Sequence, residues 1–285
     1  MAMAGSEGLI SCRVAILGLG LMGGSLAMAL RGKCAELLGI DPDPAALELA
    51  LRWKTVDRVS AKPGMLLREA DLIVLAAPVG AILSMLAELP GLHPGEAMVI
   101  DLGSTKVEIV EKMAGLPERF DPLGGHPMCG KERGGLINAD PLIFNNAPFA
   151  LTALPRSTRQ VKETAEQLSR AVGALPIWLD PQTHDRWVAS TSHLPYLVAN
   201  SLAAVVPQEA RPLVGPGLRS TTRLAPSPRS MMEDVLATNR LNVLAGLKRF
   251  RGRIEELEQM LEAGEPSDLD KFLAEGALNY ERLVG

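Results

Sequence analysis

The stretch GGHPMCGKERGG, residues 124 to 135, sets a histidine, a cysteine and three charged side chains among glycines. An imidazole exchanges protons near neutral pH, so His126 is a candidate general base. Cys129 offers a rival chemistry, a thiolate nucleophile paired with that histidine. A small thiol in a tight glycine loop is ordinarily packing, however, and nothing else in the chain supports the nucleophile. The strand-like run Arg119-Phe-Asp-Pro122 ends just before His126. So much glycine and proline after it predicts a loop with too little side-chain bulk to hide the ring. The remaining histidines read differently. His93 lies in a surface turn and His193 inside a helix, while His184 opens a helix whose dipole Asp185 complements, which makes capping its expected role.

Two further groups suit a polar small molecule. Ser104 lies in Asp101-Leu-Gly-Ser-Thr-Lys106, where Thr105-x-x-Glu108 reads as a capping box, leaving the Ser104 hydroxyl free to point into a cleft. Arg223, set among small residues and prolines in Arg219-Ser-Thr-Thr-Arg-Leu-Ala225, reads as a held guanidinium whose fork suits a carboxylate.

The elements that must position these groups follow from the apolar pattern. Arg13–Leu17, Leu37–Ile40, Asp71–Ala76 and Ala97–Ile100 are short aliphatic runs separated by helical spacing, as expected for a parallel sheet covered on both faces. Ligands of such sheets sit at the carboxyl ends of the strands. Those ends carry the Gly18 turn, Asp41, Ala77-Pro78 and Gly103-Ser104. The segment Gly18-Leu-Gly20-Leu21-Met22-Gly23 matches G-x-G-x-x-G after a strand and into a helix, with Asp41 23 positions after Gly18. Its glycines let the backbone approach a pyrophosphate at a helix N-terminus. Asp41 suits the ribose hydroxyls of NAD and repels the 2′-phosphate of NADP, so NAD is the expected cofactor; a second role, capping the next helix with Pro42 at its first position, is compatible.

After Leu175–Leu179 no strand pattern recurs, and Asp180-Pro181 marks the expected boundary between a nucleotide-binding domain, residues 11–180, and a helical substrate and dimerisation domain, residues 181–285. Met232, Leu236, Val243, Leu247, Phe250, Ile254, Leu257 and Leu261 step by 4, 7, 4, 3, 4, 3 and 4. That heptad-like seam reads either as an intramolecular core helix or as a dimer interface, and its length makes a homodimer through the C-terminal helices the expectation. A formal charge of −4, evenly spread, points away from nucleic acid and membrane surfaces and toward a small-molecule substrate. Three cysteines without C-x-x-C spacing read as reduced cytoplasmic thiols, with no metal site. The N-terminal MAMAGSEGLISC is expected to be a short frayed leader, neither a signal peptide nor a membrane anchor.

In order, GLGLMGGS (18–25), DLGSTK (101–106), GGHPMCGKE (124–132), HDRWVASTSHLPY (184–196) and RSTTRLA (219–225) resemble the prephenate/arogenate dehydrogenase family of tyrosine biosynthesis, over nearly the whole chain. The resemblance implies a Rossmann-type α/β domain followed by an all-helical dimerisation domain. It also implies NAD-dependent oxidative decarboxylation of prephenate, arogenate or both, with prephenate slightly favoured. It assigns His126 as the base, Ser104 as its orienting hydroxyl, Arg223 as a carboxylate ligand, and Glu132, Ser192, Tyr196 and Arg219 to the substrate pocket. Tyr196 stands where many prephenate-specific members have histidine, and Ser220 where aspartate is frequent. A fused mutase or regulatory domain of the kind some relatives carry is not expected within these 285 residues. Two other readings are a β-hydroxyacid dehydrogenase-like enzyme and a non-catalytic NAD sensor. The absence of lysine between Lys162 and Lys248 opposes the first, and the conjunction of His126 with Arg223 opposes the second.

Overall fold

The computed structural model describes residues 9–131, 133–264 and 266–284. Strands and helices alternate through the first part: β1 (Arg13–Leu17), α1 (Leu21–Leu30), β2 (Glu36–Ile40), α2 (Pro44–Arg52), β3 (Arg58–Ser60), α3 (Gly64–Leu67), β4 (Leu72–Leu75), α4 (Val79–Leu92), β5 (Ala97–Asp101), α5 (Val107–Ala114), β6 (Phe120–Pro127), β7 (Pro148–Ala153), α6 (Arg159–Ala171) and β8 (Leu175–Trp178). Helices follow: α7 (Pro181–Val188), a π-helical turn (Ala189–His193), α8 (Leu194–Val205), α9 (Pro216–Thr221), α10 (Arg229–Thr238), α11 (Arg240–Ala263) and α12 (Pro266–Val284).

One eight-stranded sheet runs β3-β2-β1-β4-β5-β6-β7-β8, parallel throughout except between β6 and β7. This is the Rossmann-type α/β sheet, and its order reverses between β1 and β4, where ligands of this architecture bind. Period-two alternation splits each central strand between two apolar clusters. Val14 and Ile16 face α1 and α6 residues such as Leu26, Leu30 and Leu168. Ala15 and Leu17 face Ile82 and Leu86 of α4 and Ile109 of α5. Both faces are therefore covered, which explains runs with no polar alternation.

The turn after β1 depends on Gly18. Its φ is +99°, and a Cβ there would lie 2.3 Å from the carbonyl oxygen of Ala76, so only glycine lets the turn sit against the end of β4. The helix after β2 is capped by Asp43, whose carboxylate accepts from Ala45 N–H, with Pro44 at the first position. Capping by Asp41 with Pro42 is thus displaced by two residues. The expected leader lies mostly outside the described residues. Its end is docked rather than frayed: Leu9 is buried, and its N–H donates to Gln167 Oε1 at 2.9 Å.

The strand-free sequence begins at Asp180-Pro181, whereas the chain divides into compact units at another place, one ending at Asn239 and the other starting at Arg240. The expected continuous seam is interrupted there. Met232 and Val235 on α10 are buried in the second sheet cluster, and Asn239 leaves helical geometry with φ −122° and ψ 25°. The seven-residue step from Leu236 to Val243 straddles that break. Within the second unit, α11 and α12 pair with each other, and Arg253 reaches Glu275 at 2.9 Å and lies over the Phe272 ring. Among the described residues no helix is long and apolar enough to cross a membrane.

Candidate active site

Asp101, the last residue of β5, anchors the site. It is fully buried and paired with the equally buried Lys106; its Oδ2 also accepts from Gly103 N–H at 2.7 Å, and its Oδ1 from Gly125 N–H at 3.1 Å. Burial drives the Asp101 carboxyl up and the Lys106 ammonium down, each opposed by its partner's charge. The pair joins three segments: the end of β5, the turn to α5, and β6.

That junction corrects the expectation of a loop from Gly124. Residues 124–127 are strand, pairing antiparallel with β7, with His126 opposite Ala150. Glycine is needed here for close approach to the neighbouring strand β5, because a Cβ at Gly125 would stand 2.6 Å from the Asp101 carbonyl oxygen. A strand holds His126 more tightly than a loop would.

The half-buried His126 ring meets His184, with Nδ1 2.9 Å from His184 Nε2 and the rings edge to face at 65°. His184 Nδ1 lies 2.7 Å from Asp185 Oδ1. The Asp185 carboxylate accepts from the N–H groups of Lys106 at 2.7 Å and Val107 at 2.9 Å. Asn239 Nδ2 donates to the Asp185 carbonyl at 2.7 Å and lies 3.2 Å from His193 Nδ1. His184, Asp185 and His193 are each 1% exposed. Burial holds His126 well below the ordinary histidine range, reinforced by His184, Lys106 and His193; burial likewise brings His193 down to about 4. His126 is therefore neutral at pH 7, as a base must be.

Two sequence expectations change here. Capping by His184 fails because Asp180 already caps α7, accepting from Thr183 N–H at 2.8 Å. The Thr105 capping box fails because Asp185, a charged acceptor from another element, takes the first N–H groups of α5, leaving Thr105 Oγ1 to bond Thr238 Oγ1 at 2.9 Å. His93 is structural but buried, bonded to the carbonyls of Ala70 and Gly95. The sequence reading missed Asp101, Lys106, His184, Asp185 and Asn239. One signal was available: with Asp180 serving as cap, the adjacent His184-Asp185 pair had no local task.

The other expected site residues fall as follows. Gly18, Gly20, Leu21, Met22 and Gly23 form the β1 turn and the first turn of α1. Asp41 accepts from Leu19 N–H at 2.6 Å and Asp43 N–H at 2.8 Å, bracing that turn. Ala77 and Pro78 lead into α4, where Gly80 N–H donates to Asp234 of α10 at 2.9 Å. Ser104 is half-buried and makes no hydrogen bond to His126 among the described residues. Ser192 is half-buried in the π-helical turn that joins α7 to α8. Tyr196 is buried against the second apolar cluster. Arg219 and Arg223, in and just after α9, are exposed. Glu132 lies outside the described residues. Burial drives the Cys129 thiol up to about 11, so it is protonated and packs against the first cluster.

The arrangement fits a dinucleotide. Gly20 caps α1 without a side-chain acceptor, so the helix's first N–H groups remain for a phosphate. Each Asp41 oxygen accepts one backbone bond and retains a lone pair for a ribose hydroxyl.

Comparison with known proteins agrees with this geometry. Residues 26–176 match the family model for the nucleotide-binding domain of prephenate dehydrogenase, and 180–275 that for its dimerization domain. The prephenate dehydrogenase of Bacillus subtilis is 30% identical over 273 residues, covering 91% of this chain and 72% of that protein. The cyclohexadienyl dehydrogenase of Zymomonas mobilis is 26% identical, covering 86% of each. Among solved structures, prephenate dehydrogenase from A. aeolicus in complex with hydroxyphenyl propionate and NAD+ superposes with a TM-score of 0.87 at 25% identity, covering 95% of this chain and 98% of that one. Synechocystis arogenate dehydrogenase gives 0.81 at 26%, covering 95% and 100%.

Proposed function

The chain belongs to the prephenate dehydrogenase family, and from that membership we propose that it oxidatively decarboxylates prephenate, arogenate or both, with prephenate slightly favoured. It is an NAD-dependent dehydrogenase. The observation that carries the site assignment is a neutral histidine, His126, fixed on β6 beside the Asp101–Lys106 anchor.

NAD, when bound, supplies the hydride acceptor. His126 takes the ring hydroxyl's proton as the hydroxyl-bearing carbon gives up its hydrogen with the bonding pair. The ring carboxylate then departs as carbon dioxide, and the electrons of that broken bond complete the aromatic ring. A positioned base is worth about 10² to 10⁴ in rate. Ser104, in the turn leading to α5, is assigned to the same hydroxyl. Arg223 binds a substrate carboxylate, with Arg219, Glu132, Ser192 and Tyr196 lining the pocket. The Gly18–Gly23 turn, Asp41, Ala77 and Pro78 hold the cofactor.

In this reading residues 11–180 form the nucleotide-binding domain and 181–285 the substrate and dimerisation domain, supported by family-model limits of 26–176 and 180–275. A homodimer through the C-terminal helices is supported by α12, 19 residues long with none buried. Initial rates with prephenate and arogenate, each with NAD and NADP, test the reading. NADH formation faster from prephenate is expected; no reduced cofactor from either substrate overturns it.

A further inference from the structure

The hydrogen bonds around His126 determine more than its position. The Asp185 carboxylate receives two backbone N–H groups and has no hydrogen to give, so His184 Nδ1, 2.7 Å away, must be the donor. With that hydrogen on Nδ1, His184 presents Nε2 to His126 as the acceptor. That nitrogen, 2.9 Å from His126 Nδ1, accepts a hydrogen from it. His126 is thereby left with its hydrogen on Nδ1 and a lone pair on Nε2. The nitrogen opposite the relay is the one able to accept a substrate proton.

We infer that His184 and Asp185 are positioning residues for His126, forming a carboxylate–imidazole–imidazole relay that selects the tautomer with a bare Nε2. The inference rests on the reading of His126 as the base. Ring nitrogens are told apart by what the other nitrogen bonds, and here that partner is itself oriented by a third group. Every member is anchored independently. The β6 backbone is tied to Asp101 through Gly125 N–H, α7 is capped by Asp180, and Asn239 holds the Asp185 carbonyl. Asp185 also grips the N–H groups of Lys106 and Val107, so the relay and the turn carrying Ser104 share one carboxylate. When Nε2 gains the substrate proton, the O–H bond breaks and an N–H bond forms. The resulting positive charge lies in line with Asp185.

A long-range proton–nitrogen correlation spectrum of the full-length protein, with 15N-labelled histidine at pH 7.5, tests this directly. Only four imidazoles contribute, and the His126 signals are those lost in His126→Asn. The hydrogen is expected on Nδ1 of both His126 and His184; His126 carrying it on Nε2 overturns the relay. In His184→Leu the His126 hydrogen should move to Nε2 and kcat fall about 10²-fold or more, with KM changing less than about threefold. His184→Gln, whose amide oxygen still accepts from Nδ1–H, should recover part of that loss. An unchanged tautomer and unchanged kcat in His184→Leu overturn the inference even if the protein folds normally. Wild-type protein that turns over neither substrate, yet keeps His126 hydrogen on Nδ1, would instead refute the assigned reaction and leave the relay standing.

Discussion

At the residue scale, His126 and Cys129 lie three positions apart and divide sharply. His126 is held neutral and oriented, whereas Cys129 is a protonated thiol in an apolar setting. His126→Asn should therefore lower kcat by about 10² to 10⁴ while NAD binding, followed by fluorescence titration, is unchanged. Cys129→Ala should retain activity; the opposite pattern would make the thiol the working group. The buried histidines also set the response to acid. His193 titrates near 4 when folded and near 6.5 when unfolded, so the unfolded chain binds more protons in that window. Stability is intact above about pH 6.5 and declines as the pH falls toward 4, with His193 contributing on the order of 3 kcal/mol at the lower end. Urea midpoints measured between pH 7.5 and 4.5 should shift less in His193→Gln than in the wild type.

At the element scale, the junction of β5, the turn to α5, and β6 depends on one buried ion pair. Lys106→Met would leave the Asp101 carboxylate buried without its counter-charge, a loss of roughly 3–5 kcal/mol. An exposed pair gives the contrast: Arg159→Ala on α6, which breaks the surface bridge to Glu163, should cost under about 1 kcal/mol. Equal urea midpoints for the two variants would contradict the anchoring role of Lys106. The elements themselves were largely legible. β1, β2, β4 and β5 fall within about one residue of their sequence-based ranges because each is a short aliphatic run closed by a turn residue. β7 and the far half of β6 were not, since Pro148, Gly124, Gly125 and Pro127 disfavour strands by local rules. Pairing with a neighbour overrides that preference, and close backbone approach makes glycine the required residue at Gly125.

At the scale of the whole molecule, the second unit exposes apolar side chains along both of its helices, including Ile254 and Leu261 on α11 and Leu273 and Leu278 on α12. Such surface is ordinarily covered by another chain. Light scattering should report the mass of two chains for the wild type, and Ile254→Glu should shift it toward one. A monomeric wild type at micromolar concentration would remove the dimer.

The sequence by itself determined the Rossmann-type alternation, the glycine turn with its paired Asp41, and the end of the strand region at Asp180, and it marked His126 as the candidate base. These are matters of local periodicity and turn chemistry, readable within a few residues. Tertiary structure alone decided which groups hold that histidine. His184 is 58 positions from His126, and Asp185 caps a helix start 79 positions away. Many polar side chains could satisfy such donors, and only packing of α7 against α5 and β6 selects among them. The same reason explains why Asp101 and Lys106, five residues apart in a motif, gave no sign of being a buried pair. Their burial is imposed by elements that the motif does not contain.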